Sequence, residues 1–208
     1  MMLRVGITGG IGTGKTTVCQ IFETLGIPVY YADVRAKWLT THDPALVDAI
    51  CQLLGSEAYL ADGSYNRAYV AGIVFKDAAK LSQLNALVHP AVEHDSHQWH
   101  LSQQETGAPY TLHEAALLIE SGHYRSLDTL ILVTAPEELR IRRVVLRDKV
   151  SADQVRARMQ HQIPDSEKVV YAGYKIDNDG DQLLIPQVMN IHRQLTRRAQ
   201  QPRAETFF

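Results

Sequence analysis

Residues 9–16 read GGIGTGKT, and they lie between a short apolar run at residues 3–8 and a stretch with helical spacing of its apolar residues at 15–25. The eight residues match the pattern G-x-x-x-x-G-K-[ST]. Glycines at these positions let backbone N–H groups converge on phosphate oxygens, and the N-terminus of the following helix adds unpaired donors and partial positive charge. This strand–loop–helix arrangement predicts a P-loop NTPase fold that binds a nucleoside triphosphate.

The loop residues have distinct predicted roles. Lys15 is long enough to reach the β- and γ-phosphates, and the hydroxyl of Thr16 can bind Mg²⁺. The other predicted contacts to the triphosphate come from Gly10, Ile11, Gly12, Thr13, Gly14 and Thr17. The alternative is a glycine-rich turn without a ligand, which the flanking strand and helix disfavour.

Composition excludes several classes of protein. The chain has 208 residues, which suits one domain with inserted substructures, and its net charge of −2 provides no basic field for nucleic acid. No apolar run is long enough to span a bilayer, and the N-terminus leads directly into a strand rather than a signal peptide. Cys19 and Cys51 lack metal or redox spacing, which fits the reducing cytoplasm. We expect a cytoplasmic protein without nucleic-acid or membrane partners, and a monomer in preference to a small homo-oligomer.

The order of predicted elements indicates an α/β fold. The segments with strand composition are Leu3–Thr8, Pro28–Ala32, Tyr110–Glu114, Thr129–Thr134 and Tyr174–Asp177. Helical stretches separate them, which predicts a five-stranded parallel sheet flanked by helices, with ligands bound at the C-terminal ends of the strands. The core would comprise about residues 1–33, 105–135 and 166–200.

Two helical additions interrupt this alternation. Residues 34–104 are too long for one crossover, which predicts a helical substrate-binding insert. Its helical segments are Pro44–Leu54, Arg67–Phe75, Ala78–Val88 and Pro90–Gln104. Residues 136–165 contain two helical stretches, one crowded with arginines, and predict a helical lid.

Asp33 follows the second predicted strand. A carboxylate at that end of the sheet can orient an acceptor hydroxyl and take its proton. By position alone, a helix N-cap for the segment that starts at Val34 is about equally well supported.

The predicted lid contributes candidate cations. Phosphoryl transfer needs positive charge against the equatorial oxygens of the transferred group. Arg143 and Arg147 share a helix face at i,i+4 spacing, and Arg140 lies on the same side, whereas Arg142 points elsewhere. The alternative is a solvated basic face. With a phosphate loop in the chain, we expect at least one of these arginines to reach the triphosphate.

Acidic and imidazole side chains give further candidate ligands. Glu114 ends the third strand and Glu120 follows apolar residues 117–119, so either could hold Mg²⁺ through water, or serve as a local cap or lysine partner. The histidines with ligand-like helical spacing are His94, His97 and His100. No fourth ligand is evident for them, so a polar helix face is favoured over a zinc site. His89 and Pro90 are expected to end one helix and begin the next.

Taken in order, the motifs resemble those of the bacterial dephospho-CoA kinase family along nearly the whole chain. The matching segments are GITGGIGTGKT at residues 6–16, Ala32-Asp33, DGSYNR at residues 62–67, Val74-Phe75, LNALVHP at residues 84–90, LLIE at residues 117–120, Arg143, Arg147-Asp148, Gln162 and IDNDG at residues 176–180. The phosphate loop alone is generic, but the combination is specific. The chain departs from the family's commoner residues at Glu114, Ala116 and Gly173.

The resemblance implies a kinase that transfers the γ-phosphoryl group of ATP to the ribose 3′-hydroxyl of dephospho-CoA, with Mg²⁺ as cofactor. It implies that Asp33 is the base and that the cations on the transferred group are Lys15, Arg143 and Arg147. It implies acceptor contacts for Arg67, His89, Leu117 and Glu120, in addition to Asp33. It places Asn178 beside the adenine of ATP.

Two other readings remain open from the residues alone. A kinase for a nucleoside, a nucleotide or another small alcohol would share the loop, although the motifs around Arg67 and His89 speak against it. A GTPase-type switch or regulatory nucleotide-binding module would need a guanine-reading N-K-x-D segment, and the chain has none.

Overall fold

The computed structural model describes residues 2–160 and 162–201, and its strands form a single sheet. The strands are β1 Leu3–Thr8, β2 Val29–Tyr31, β3 Tyr110–Glu114, β4 Thr129–Thr134 and β5 Tyr174–Asp177. Their order is β2-β3-β1-β4-β5, and β1 pairs in parallel with both β3 and β4. The predicted α/β fold with a five-stranded parallel sheet is confirmed, with β2 shorter than expected.

Between β3 and β4 the described chain forms only a short 3-10 helix at His123–Ser126, whereas α-helices separate the other consecutive strands. The α-helices are α1 Lys15–Thr24, α2 Ala32–His42, α3 Pro44–Leu54, α4 Arg67–Val74, α5 Ala78–Ser102, α6 Glu137–Asp148, α7 Ala152–Met159, α8 Asp165–Lys168 and α9 Leu184–Gln200. The central strands β1 and β4 are nearly all buried, as expected for a parallel sheet covered on both faces. Cys19 on α1 is fully buried, so it acts as a small core residue.

The chain divides into two compact units. The sheet unit comprises Met1–Tyr30 with Ser102–Phe208, and the helical unit comprises Tyr31–Leu101. The helical unit has a hydrophobic core of its own, formed by Leu39, Leu46, Ile50, Leu54, Ala58, Val70, Val74 and Leu84. In the sheet unit, α6 and α7 share a small cluster of buried Ile141, Val144 and Val155, against which Ile11 of the loop packs.

The expected break at His89 and Pro90 is wrong. One helix, α5, runs without interruption from Ala78 to Ser102 with Pro90 inside it. Proline removes one backbone donor and crowds the preceding turn, which usually ends a helix. Here Leu84, Leu87 and Val88 before the proline, and Ala91 and Val92 after it, pack against the same core. This packing on both sides outweighs the local cost.

Replacing Pro90 with alanine should therefore stabilise the protein. Alanine restores the missing N–H and removes the ring from the preceding turn, an interior-helix cost of about 3 kcal/mol that a more flexible unfolded chain partly offsets. We expect the free energy of unfolding to rise by about 1–2 kcal/mol, measured by urea unfolding. Ser82→Ala, at an exposed position of the same helix, is the control. An unchanged or lower unfolding free energy in Pro90→Ala would show that the proline is not a local weakness.

Candidate active site

The glycine-rich loop joins the central strand β1 to helix α1. Gly12 and Gly14 have φ angles of +80° and +88°, in the left-handed region that favours glycine. Gly14 is the N-cap of α1, so the loop delivers the chain directly into the first helical turn at Lys15. Thr16 and Thr17 are exposed in that turn. Backbone donors and two hydroxyls therefore meet at the positive end of a helix, an arrangement suited to bind phosphate.

Thr13 holds the shape of this loop. Its backbone N–H and its hydroxyl both donate to the carbonyl oxygen of Gly10, at 3.2 and 2.9 Å. Its own carbonyl accepts a hydrogen bond from the Asn178 side chain at 2.8 Å. The residue is fully buried. Its N–H and hydroxyl are thus both committed within the loop, where they maintain its curvature.

Lys15 spans the loop. Its ammonium group donates to the carbonyl of Gly9 at 2.9 Å and lies 3.9 Å from the carboxylate of Glu114. The β1–β3 register pairs Ile7 with Glu114, which brings this buried carboxylate beside the start of the loop. Of the roles predicted for Glu114, the lysine partner is the one present here. The pair supplies one cation and one anion where the triphosphate and its Mg²⁺ are expected.

Two arginines of α6 contact the loop. Arg140 is buried, and its Nε donates to the carbonyl of Ile11 at 2.9 Å while Nη1 donates to Asp165 at 3.2 Å. Arg143 donates to the carbonyl of Gly12 at 3.5 Å. The i,i+3 spacing predicted that both residues lie on one face as candidate cations, although only Arg143 was among the residues that the family resemblance implied. Arg140 contacts the loop as well.

Arg147 contacts Asp148 rather than the loop. Nε and Nη2 of Arg147 donate to the two carboxylate oxygens of Asp148 at 2.7 and 3.1 Å, and the Arg147 side chain is 65% exposed. These hydrogen bonds lower the pKa of Asp148, and Arg158 adds a second positive charge. Arg147 lies near the C-terminal end of α6, one to two helical turns beyond the arginines that contact the loop. Among the described residues it makes no hydrogen bond to the loop.

Asn178 links the loop to Arg143. It follows β5, and its amide nitrogen donates to the Thr13 carbonyl while its amide oxygen accepts from Arg143 Nη2 at 3.2 Å. A Cβ atom at Gly14 would collide with this amide, so a larger residue there would displace Asn178 in addition to straining the positive φ. The resemblance implied that Asn178 lies beside adenine. The structure shows a residue that holds Thr13 and Arg143 together.

Asn178→Asp should weaken ATP use. The aspartate keeps an acceptor for Arg143 but loses the donor to Thr13 and sets a negative charge against a carbonyl oxygen. We expect kcat/KM for ATP to fall roughly tenfold, the scale of one lost hydrogen bond with an unsatisfied partner. Steady-state kinetics with varied ATP measure the effect, and Asn190→Asp at an exposed position of α9 is the matched control. Equal kcat/KM for both variants would remove Asn178 from the positioning of the loop.

Glu120 also has a lysine partner. Its Oε1 lies 2.8 Å from the ammonium of Lys168 and accepts a hydrogen bond from the backbone N–H of Ile163 at 3.1 Å. Lys168 is fully buried. It was not predicted from the sequence as a site residue, because a four-residue helix is too short to show a periodic pattern. The neighbouring Leu117 is 48% exposed.

The remaining predicted site residues belong to the helical unit. Asp33 is exposed in the first turn of α2, two residues after β2 ends. The N-cap alternative for Asp33 is wrong, because α2 already starts at Ala32 and its N-cap is Tyr31. Arg67 is exposed at the first position of α4, and His89 is exposed in the middle of α5.

The three histidines with ligand-like spacing do not share one environment. His94 and His97 are exposed on α5, whereas His100 is buried. In residues 2–160 and 162–201, no group of three His, Cys, Asp or Glu side chains is arranged to hold a metal ion. Over the same residues, no helix is long and apolar enough to cross a bilayer.

Comparison with known proteins gives one consistent result. The family model for dephospho-CoA kinases matches residues 3–183. The dephospho-CoA kinase of Bacteroides fragilis is 37% identical over 191 residues, covering 92% of each chain. That of Salinibacter ruber is 42% identical over 179 residues, covering 86% of this chain and 90% of the relative.

Solved structures agree at the level of the fold. A structure titled TT1252 from Thermus thermophilus has a TM-score of 0.81 at 32% identity and covers 93% of this chain and 97% of its own. The dephospho-CoA kinase from Campylobacter jejuni has a TM-score of 0.70 at 24% identity, covering 95% and 98%. Shikimate kinase from Aquifex aeolicus has a TM-score of 0.51 at 17% identity, covering 95% and 99%. The predicted P-loop fold is confirmed.

Proposed function

Because the chain belongs to the dephospho-CoA kinase family, we propose that it transfers the γ-phosphoryl group of ATP to the ribose 3′-hydroxyl of dephospho-CoA, giving coenzyme A and ADP. Its activity is the ATP-dependent phosphorylation of dephospho-CoA in coenzyme A biosynthesis. The observation that carries the proposal is the family match over residues 3–183, which includes an intact phosphate loop.

The loop and its cations would bind the triphosphate. We assign the phosphate contacts to backbone N–H groups of the loop and the first turn of α1, and charge neutralisation to Lys15 and Arg143. The contacts of Lys15 with Gly9 and of Arg143 with Gly12 support this assignment, since both cations already lie against the loop. Arg147 remains a further proposed cation. Its ion pair with Asp148 is exposed, so exchange of that partner for a phosphate oxygen costs little.

Asp33 is the proposed base. Its carboxylate would accept the proton of the 3′-hydroxyl as that oxygen attacks the γ-phosphorus, while the bond from phosphorus to the β–γ bridging oxygen breaks and ADP leaves. The exposed position of Asp33 directly after β2 supports this role, because ligands of parallel sheets bind at the C-terminal ends of the strands. Positioning and charge stabilisation would provide most of the rate enhancement.

The residues present fit a Mg²⁺ ion. Hard oxygen ligands suit this ion, and the exposed Thr16 hydroxyl and the Glu114 carboxylate are two such groups in the sheet unit. We propose that Thr16 binds the ion directly and that Glu114 acts through water. When bound, Mg²⁺ neutralises charge on the β- and γ-phosphates.

Arg67 and His89 are the proposed acceptor contacts in the helical unit. Both are exposed, and a cationic guanidinium and an imidazole suit the phosphate and base of a nucleotide-like acceptor. Leu117 is proposed as an apolar contact to the acceptor, supported by its exposure. Glu120 has its carboxylate committed to Lys168 and Ile163, so we assign it an anchoring role instead of the expected acceptor contact.

The reducing cytoplasm is the proposed location. Use of ATP and the free thiols of Cys19 and Cys51 support it. We further propose that a monomer is sufficient for activity.

An acceptor panel tests the proposed function. Purified protein with MgATP is assayed for ADP release with dephospho-CoA, adenosine, AMP or shikimate as acceptor. We expect fast release with dephospho-CoA alone. Turnover only with another acceptor would leave the proposed role of the phosphate loop in place and show that dephospho-CoA is not the acceptor.

A further inference from the structure

The segment after α7 lies in the sheet unit and contacts three separate parts of it, at Ile11, Glu120 and Arg140. This return segment comprises residues 162–168, QIPDSEK. It carries hydrogen-bonding or charged contacts at Gln162, Ile163, Asp165 and Lys168.

Glu120 holds the return segment at two points. Its Oε1 accepts from the backbone N–H of Ile163 at 3.1 Å and lies 2.8 Å from the ammonium of Lys168. Lys168 is fully buried, and the Glu120 side chain is 17% exposed. One carboxylate thus contacts two residues of the segment that lie five positions apart.

Gln162 and Asp165 of the same segment hold the phosphate loop at Ile11, Asp165 through Arg140. Gln162 Oε1 accepts from the backbone N–H of Ile11 at 2.9 Å. Asp165 binds Arg140 Nη1 at 3.2 Å, and Arg140 Nε donates to the Ile11 carbonyl at 2.9 Å. Both polar groups of one loop residue are therefore held by side chains that the return segment provides or orients. The Ile11 side chain is also held, because it packs against the buried cluster of α6 and α7.

We propose that Glu120 and Lys168 are positioning residues for ATP, acting through Gln162 and the Asp165–Arg140 pair to fix the phosphate loop at Ile11. The inference rests on the proposed role of that loop in binding the triphosphate. Under this proposal Glu120 positions the phosphate loop and does not contact the acceptor.

The energetics of the pair support a positional role. Desolvation of two charges commonly cancels their attraction, so a buried pair is weak evidence for stability. Within the described residues, Glu120 Oε2 and Asp165 Oδ1 are buried atoms without a hydrogen-bond partner, whereas Lys168 Nζ has Glu120 Oε1 at 2.8 Å. A buried polar atom without a partner lowers stability, so these two atoms give the arrangement no stabilising advantage.

The double variant Glu120→Leu with Lys168→Met tests the inference. It removes both charges without leaving either alone, so we expect an unchanged or higher Tm. The return segment loses both anchors, so we expect the Kd for ATP and kcat/KM for ATP to worsen by roughly tenfold or more, the scale of a misplaced catalytic contact. The KM for dephospho-CoA should stay unchanged. A rise confined to the KM for dephospho-CoA would overturn the inference and return Glu120 to the acceptor site.

A second variant keeps the test decisive if the double variant folds poorly. Gln162→Ala removes the acceptor for the Ile11 N–H directly, and Gln160→Ala, exposed two residues earlier, is the matched control. We expect weaker ATP binding by calorimetry for Gln162→Ala only. An ATP Kd equal to that of wild type in Gln162→Ala would overturn the inference. Calorimetry needs no acceptor, so wild-type protein that binds ATP but leaves dephospho-CoA unmodified would contradict the proposed function alone.

Discussion

Asp33→Asn should lower turnover by about two orders of magnitude or more while leaving ATP affinity nearly unchanged, the usual scale for a positioned base. Asparagine preserves the size of the side chain and can still hydrogen-bond the acceptor hydroxyl. It cannot take the proton. Asp33 lies in the first turn of α2 with an exposed side chain, so the substitution leaves the hydrophobic core of the helical unit intact.

Single-turnover rates at saturating ATP and dephospho-CoA measure this effect on the chemical step. Asp48→Asn, exposed on α3 in the same unit, makes the same chemical change away from the proposed base. We expect wild-type rates from the control. Wild-type turnover in Asp33→Asn itself would remove Asp33 from the mechanism.

Lys15→Met should weaken ATP affinity and turnover together. The ammonium lies against the loop at Gly9, where it would meet the β- and γ-phosphates, and it loses its charge in this variant. Removing one preorganised donor to developing charge costs about 100-fold or more in rate. The methionine also leaves the buried Glu114 carboxylate without its lysine, so a lower Tm is expected.

The double variant Lys15→Met with Glu114→Gln separates these two effects. Neutralising both members of the pair should recover Tm, whereas activity should remain low because the cation is still absent. Lys76→Met, at an exposed position, controls for loss of a lysine in general. Full recovery of activity together with Tm would show that Lys15 acts on stability and that the cation for phosphate lies elsewhere.

Local patterns predicted the elements that form through local interactions. The glycine-rich loop, the bounds of β1, β3, β4 and β5, and the range of α3 all follow from apolar spacing and helix-end residues. The continuous α5 could not be predicted this way. Proline is a local helix breaker, and the packing of Leu84 and Val92 against one core only exists once the helical unit has folded.

The contacts of the site were less predictable from the sequence than the helices and strands, because they depend on tertiary structure. Glu120 and Lys168 are separated by 48 positions, and only the return of the chain after α7 brings them together. Arg140 and Arg143 were recognisable as one helix face, but their division between Ile11 and Gly12 depends on how α6 lies against the loop. The spacing of arginines in the sequence can identify candidate cations, whereas the loop residue that each arginine contacts is decided by packing.

Product identity tests the central claim most directly. Wild-type protein is incubated with MgATP and dephospho-CoA, and ADP and the acceptor product are quantified together by mass spectrometry, with the phosphate position assigned by ³¹P NMR. We predict one coenzyme A, phosphorylated at the ribose 3′-oxygen, for each ADP. ADP without phosphorylated acceptor, or phosphate on a different oxygen, would contradict the account.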